Sequence, residues 1–232
     1  MSRFRRQTLE QALAIANPGP SEWPEETVPG ILDLLWRAYD RLFSTKLSSV
    51  NIQDADLQLE RSVTALLSDE IQDILHEEGG YCSYRVSHER WEMETLDPKS
   101  NRPPQYDIAF VWRDYAYLKW PCEAKVLKHE KDVNAYILDV QNAFIPCIYA
   151  PFSQSAAMLG LLVMGNPHEA LRTIGTRLGK PLAKHPPHTG RPHGQSTHPR
   201  RVPIGKNYPS PLHLHHLIME LQKQKGIVSP IS

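Results

Sequence analysis

The chain has 232 residues, 41% hydrophobic and 22% charged, proportions that suit one sizeable soluble domain, with room for an appendage, and exclude a disordered chain. Formal net charge is zero, but the charges are unevenly placed along the sequence. Cys82, Cys122 and Cys147 are odd in number and form no Cys-x-x-Cys pair, which argues against a disulfide framework or thiolate zinc site and fits a reducing, cytoplasmic setting.

The first residues, Met1-Ser2-Arg3-Phe4-Arg5-Arg6, are basic, but the apolar stretch after them is short and broken by Glu10, unlike a signal peptide. The longest apolar run, Ala156 to Met164, is too short to cross a bilayer, so no membrane association is expected. Thr8 to Ala16 reads as a short helix closed by Asn17-Pro18-Gly19-Pro20. Ile31, Leu34, Leu35, Ala38, Tyr39, Leu42 and Phe43 then recur at helical spacing. Residues 1–50 are thus expected to form a helical extension, suited to packing on the main domain or docking a partner protein.

Residues 56–78 form the next helix, with Leu59, Val63, Leu66, Leu67, Ile71, Ile74 and Leu75 on its apolar stripe and Gly79-Gly80 as its stop. Glu60 and Glu70 fall inside that stripe, where a carboxylate is costly unless paired, hydrogen-bonded or metal-bound. Tyr81 to Val86 reads as a strand, with Trp91 to Thr95 extending a hairpin from it. Two further strands follow, Tyr106 to Trp112 and Tyr117 to Leu127, joined through a turn at Arg113-Asp114-Tyr115. Alternation in a strand puts Glu123 and Lys125 on one face and Cys122, Ala124 and Val126 on the other. A hairpin brings Asp107 alongside Glu123 on that face, a cluster able to hold Mg²⁺ through oxygen and position a water for attack on a phosphodiester. A second acid-any-lysine tripeptide, Asp97-Pro98-Lys99, lies in a polar loop and lacks a strand to aim its side chains.

Asp107 with Glu123-Ala124-Lys125 resembles the core motif of the PD-(D/E)XK nuclease superfamily over roughly residues 55–165, with Tyr106 where the eponymous proline would stand. The resemblance implies a metal-binding aspartate at Asp107, a second metal-ligand acid at Glu123 and a water-orienting lysine at Lys125. It also implies an additional helix glutamate, best matched by Glu60 in Glu60-Arg61-Ser62-Val63-Thr64-Ala65-Leu66-Leu67, with Glu70 as runner-up. Val133 to Phe144 reads as a helix, Ala156 to Met164 as a buried strand or short helix, and Asn166-Pro167 as the start of a helix over His168 to Leu178. The order αβββαβ fits a restriction-endonuclease-like core: an α/β fold with a mixed central sheet flanked by helices, over residues 51–180.

From Ala170 to Met219 there is no Asp or Glu, while Arg172, Arg177, Lys180, Lys184, Arg191, Arg200, Arg201 and Lys206 all fall there. Arg191, Arg200, Arg201 and Lys206 are the expected phosphate contacts. Residues 181–232 are expected to hold a long basic loop, rich in Pro and His, and a final amphipathic helix or strand, Leu212 to Gln222, packing on the core. His185, His188, His193, His198, His213, His215 and His216 lie here, but their spacing fits no familiar zinc pattern. No phosphate-cradling Gly-rich loop, Gly-x-Ser-x-Gly elbow or dinucleotide fingerprint occurs.

The expected function is a Mg²⁺-dependent DNA endonuclease, with Mn²⁺ able to substitute, of the kind used in prokaryotic restriction or anti-phage defence. DNA is the expected partner, with a docked protein subunit or a homodimer as further options. Two other readings stand beside it: a catalytically silent assembly subunit that keeps the nuclease fold, and a nuclease acting on RNA.

Overall fold

The computed structural model describes residues 21–79, 82–97, 99–100, 102–185, 188 and 190–222; the helix expected over Thr8–Ala16 lies outside them. In chain order come α1 (Val28–Thr45), α2 (Asp56–Glu77), β1 (Tyr84–Trp91), β2 (Gln105–Trp112), β3 (Lys119–Leu127), α3 (Asn134–Asp139), β4 (Ser155–Leu162), α4 (Pro167–Arg177), β5 (Ala183–Lys184), β6 (His193–His198) and β7 (Leu212–Glu220). The strands form one mixed seven-stranded sheet in the spatial order β1-β2-β3-β4-β7-β6-β5. Antiparallel runs lie at both ends, joined through the parallel pairs β3–β4 and β4–β7.

Helices cover both faces, so the molecule is an α/β sandwich of three layers. On one face α1 and α2 bury Ile31, Leu35, Leu59, Val63 and Leu67 against Ile108, Phe110, Cys122, Ala124 and Leu159. On the other, Tyr136, Ile137, Ala170 and Ile174 of α3 and α4 pack with Leu127, Met158, Leu214 and Ile218. β4 is buried along its whole length, as a parallel central strand covered on both faces must be. Its Gly160 leaves room for its neighbours, since a Cβ there would lie 2.6 Å from Ile218 Cδ1 and 2.9 Å from Leu127 Cδ1. α4 begins where expected: Pro167 opens the first turn, and the Asn166 side chain accepts the amides of His168 and Glu169.

Several expectations are corrected. Trp91–Thr95 makes no hairpin strand; Trp91 is the last residue of β1, which pairs along β2 from Tyr84–Trp112 to Trp91–Gln105. The region expected to be a long loop contains β5 and β6, and β6 pairs with β7 over His193–Leu217 to His198–Leu212. Of the helix or strand expected over Leu212–Gln222, Leu212–Glu220 is a strand, and it lies inside the sheet between β4 and β6. One apolar cluster joins α1 to β2, β3, β4 and Leu217, Met219 and Leu221. Cys82, Cys122 and Cys147 are free thiols. Among the described residues no helix is long and apolar enough to cross a membrane.

Candidate functional site

Pairing between β2 and β3 stops at Ile108–Cys122, where β2 leaves its neighbour. The β3 amides beyond that point lose their ladder partners, and two carboxylates replace them. Asp107 Oδ2 accepts the Ala124 amide at 2.7 Å, and Glu60 Oε1, reaching from α2, accepts the Val126 amide at 3.0 Å. The same opening lets Glu60, which is based on the α1–α2 side, approach Lys125 on the opposite face of β3.

Lys125 is the hub. Its Nζ lies 2.9 Å from Glu123 Oε1, 3.5 Å from Glu60 Oε2 and 3.1 Å from Asp139 Oδ2, and it donates to the Ala124 carbonyl at 2.8 Å. Glu123 follows Cys122 in register as Asp107 precedes Ile108, so the two acids face each other across the departing strands. Glu123 Oε2 is buried and has no hydrogen-bond partner among the described residues. Glu70 lies elsewhere, ion-paired with Lys46 at 2.6 Å and Arg41 at 3.2 Å. In the second acid-any-lysine tripeptide, Asp97 Oδ1 accepts the Lys99 amide at 2.8 Å.

The electrostatics follow from four carboxylates sharing one ammonium. Burial pushes the Asp107 and Glu60 carboxyls above the usual range. Glu123 goes well above it, through burial first and then through Asp107 beside it. Burial acts against the charge on Lys125, but Glu123, Glu60, Asp139 and Asp107 more than reverse this and leave its pKa raised. The site thus holds more negative charge than Lys125 offsets, which a proton or a bound cation would relieve.

Asp139 was not anticipated from sequence. It ends α3, where the helix widens into a π turn over Val140–Phe144 and Ile145 N bonds back to Val140 O at 3.0 Å. The signal was faint: Asp139 is the one acid between Val133 and Phe144 in an otherwise apolar and neutral stretch.

The expected phosphate contacts fare differently. Arg200 is buried, and its guanidinium bonds the carbonyls of Tyr149 at 2.6 Å, Ala150 at 2.8 Å and Ser153 at 3.2 Å, so it is a structural side chain. Arg191 is held by both Asp40 carboxylate oxygens and lies 5.2 Å over the Trp36 ring. Lys206 pairs with Glu94 at 2.7 Å, and Arg201 donates to Gln141 O at 3.0 Å. Arg200 is thus committed within the fold, whereas Arg201 and Lys206 remain exposed. A groove of about 600 Å³ between α4 and the β5–β6 edge is lined by Arg172, Lys180, Lys184 and, of the expected four, Arg191. Arg172 pairs with Glu169 and Lys180 donates to Thr197 O, while Lys184 is exposed.

Among the described residues, the set of three histidine, cysteine or acidic ligand atoms that lie within 4.8 Å of one another is His185, His188 and His193, not the carboxylates around Lys125. No family model, curated protein or solved structure matches the chain.

Proposed function

We propose that the protein is a metal-dependent nuclease of the restriction-endonuclease-like kind, acting on DNA at the opening between β2 and β3. The observation that carries this reading is the convergence of Asp107, Glu123, Glu60 and Lys125 from two strands and a helix onto one point. Helix α2, strands β1–β3, helix α3 and strand β4 follow in the αβββαβ order that such a core uses.

Oxygen donors suit a hard divalent cation, and Asp107 and Glu123, with its buried unpartnered oxygen, are the residues that would hold Mg²⁺. Such an ion supplies Lewis acidity toward a phosphodiester and lowers the pKa of water. Glu60 ties α2 to the amide of Val126 and so fixes the helix against the site. Lys125, released from part of its carboxylate shell when a cation shares that charge, would stand beside the scissile phosphate and offset developing negative charge. A nucleic acid reaching the Lys180–Lys184 groove would cross from β3 to β6, three strand spacings or roughly 14 Å.

The test is cleavage of plasmid, linear and single-stranded DNA, and of RNA, with Mg²⁺, Mn²⁺ or chelator. Cleavage of DNA that needs the metal and vanishes in Asp107→Asn, Glu123→Gln and Lys125→Ala is expected, by at least about 100-fold in each. RNA as the preferred substrate would move the assignment to an RNA-directed enzyme.

A second reading has its own observation: Asp107 and Glu60 both satisfy β3 amides, and Lys125 already neutralises part of the cluster. Those are structural duties, and a silent assembly subunit would keep them. Metal-independent folding with no cleavage of any substrate, and loss of stability in Asp107→Ala, would favour that reading.

A further inference from the structure

We propose that His185, His188 and His193 bind one divalent transition-metal ion of the Zn²⁺ class, with His215 as the positioning residue for His193. This site is separate from the carboxylates at β2–β3, lying where the β5–β6 connector meets β6 at the far side of the sheet.

Three observations carry it. The three imidazoles each offer a ring nitrogen, and these atoms lie within 4.8 Å of one another. Ligands about 2.0–2.1 Å from a tetrahedral zinc stand roughly 3.3 Å apart, so the set needs to draw in by no more than about 1.5 Å. The rings are stacked at 4.7 Å for His185–His193 and 5.5 Å for His188–His193, so His185 and His188 must turn their nitrogens inward from that stack. Both sit in a connector outside the strands, where such a turn breaks no ladder. Second, His185 Nδ1 is buried with no hydrogen-bond partner among the described residues, a lone pair or N–H that the protein leaves unanswered.

Third, the His193 ring is anchored through both of its nitrogens. Its Nε2 lies 3.2 Å from His215 Nδ1 on the adjacent strand, and its Nδ1 receives the Trp36 indole N–H at 3.5 Å. An indole can only donate, so His193 Nδ1 carries the lone pair and Nε2–H donates to His215. The donated N–H fixes ring and tautomer, as partners of metal-bound histidines do. A metal at Nδ1 would take the place of the Trp36 contact, the longer of the two.

An all-imidazole set selects Zn²⁺, Co²⁺, Ni²⁺ or Cu²⁺ over Mg²⁺ and Ca²⁺, which prefer oxygen. The sequence hid it because His185-x-x-His188 and His193 come together through the antiparallel pairing of β5 with β6 rather than along one helix.

The experiment uses the untagged full chain, dialysed against Zn²⁺ and then metal-free buffer, with metal content measured per chain and Co²⁺ absorption recorded. One equivalent of Zn²⁺, an intense tetrahedral Co²⁺ spectrum and a Zn²⁺-dependent rise in melting temperature are expected for wild type. His185→Ala/His188→Ala should lose all three while keeping its circular dichroism, whereas the exposed His129→Ala should behave as wild type. His215→Gln should weaken Zn²⁺ about 10–100-fold and alter the Co²⁺ spectrum. No retained zinc in wild type, or equal retention by wild type and the double variant, would overturn the proposal and leave a stack of aromatic rings. DNA cleavage is read separately, so failure here leaves the β2–β3 assignment standing.

Discussion

Arg200 shows how one side chain can be miscast by its charge. The loop it holds, Ile145 to Ser153, contains Cys147 and Ala150 at φ 64° and 54°, left-handed conformations that non-glycine residues adopt at a cost. The guanidinium gathers the carbonyls of Tyr149, Ala150 and Ser153 from that loop and so fixes it beneath Tyr106, whose hydroxyl accepts the Ala150 amide. Arg200→Ala is therefore expected to lower unfolding free energy by about 1–3 kcal/mol for each carbonyl left without a partner, measured by urea denaturation. It should leave the salt dependence of DNA binding unchanged, because Arg200 offers nothing to a phosphate. A flattened salt slope with unchanged stability would reverse that assignment. The buried pair Lys119–Glu92, 3.1 Å apart and joined by the Tyr106 hydroxyl at 2.8 Å, is a second structural charge. Lys119→Met would strand Glu92 and should cost about 3–5 kcal/mol in the same measurement.

At the scale of elements, β6 explains what the sequence could and could not disclose. His193-Gly194-Gln195-Ser196-Thr197-His198 has no apolar residue to betray a strand, yet His193, Ser196 and His198 are buried. Ser196 Oγ lies 2.7 Å from both His198 Nε2 and His216 Nε2, and His216 Nδ1 meets the Tyr136 hydroxyl at 2.8 Å. A polar network has replaced the alternation that revealed β2 and β3, and only pairing with β7 reveals it. The helices α1, α2 and α4 were legible because burial there is apolar and periodic, and the β2–β3 face because strand alternation fixes it. Glu60 was separable from Glu70 only by resemblance, since both lie on the buried stripe and their difference is a matter of partners. The network also predicts acid sensitivity. Burial lowers His198 to about 4 and His216 to about 3, from 6.5. Above pH 6.5 both rings are neutral folded or unfolded, and stability is whole. Below it the unfolded rings take protons that the folded ones refuse, so stability is lost as pH falls toward 4 and 3, at about 1.4 kcal/mol per pH unit for each histidine. His198→Gln should reduce that slope; denaturation midpoints between pH 7 and 4 that fail to differ would show the rings titrating freely.

At the scale of the molecule, the proposed activity needs a surface that grips a backbone, and the groove beside α4 and β5 offers Lys180 and Lys184 together with Arg191. Lys180→Ala with Lys184→Ala should flatten the log–log salt dependence of DNA affinity, measured in Ca²⁺, by up to about 1.8 if both meet phosphates. Parallel slopes would place the nucleic-acid surface on another face. The position of β7 has a further consequence, one of timing. Synthesis delivers β4 complete at Leu162, but its second neighbour begins only at Leu212, 50 residues later. At roughly 5–20 residues per second, β4 waits about 3–10 seconds with the N–H and C=O groups of one edge unpaired while the rest is translated. An open strand edge of that kind invites pairing with other nascent chains. The ribosome-bound intermediate, more than the finished protein, is thus the form that most needs a chaperone.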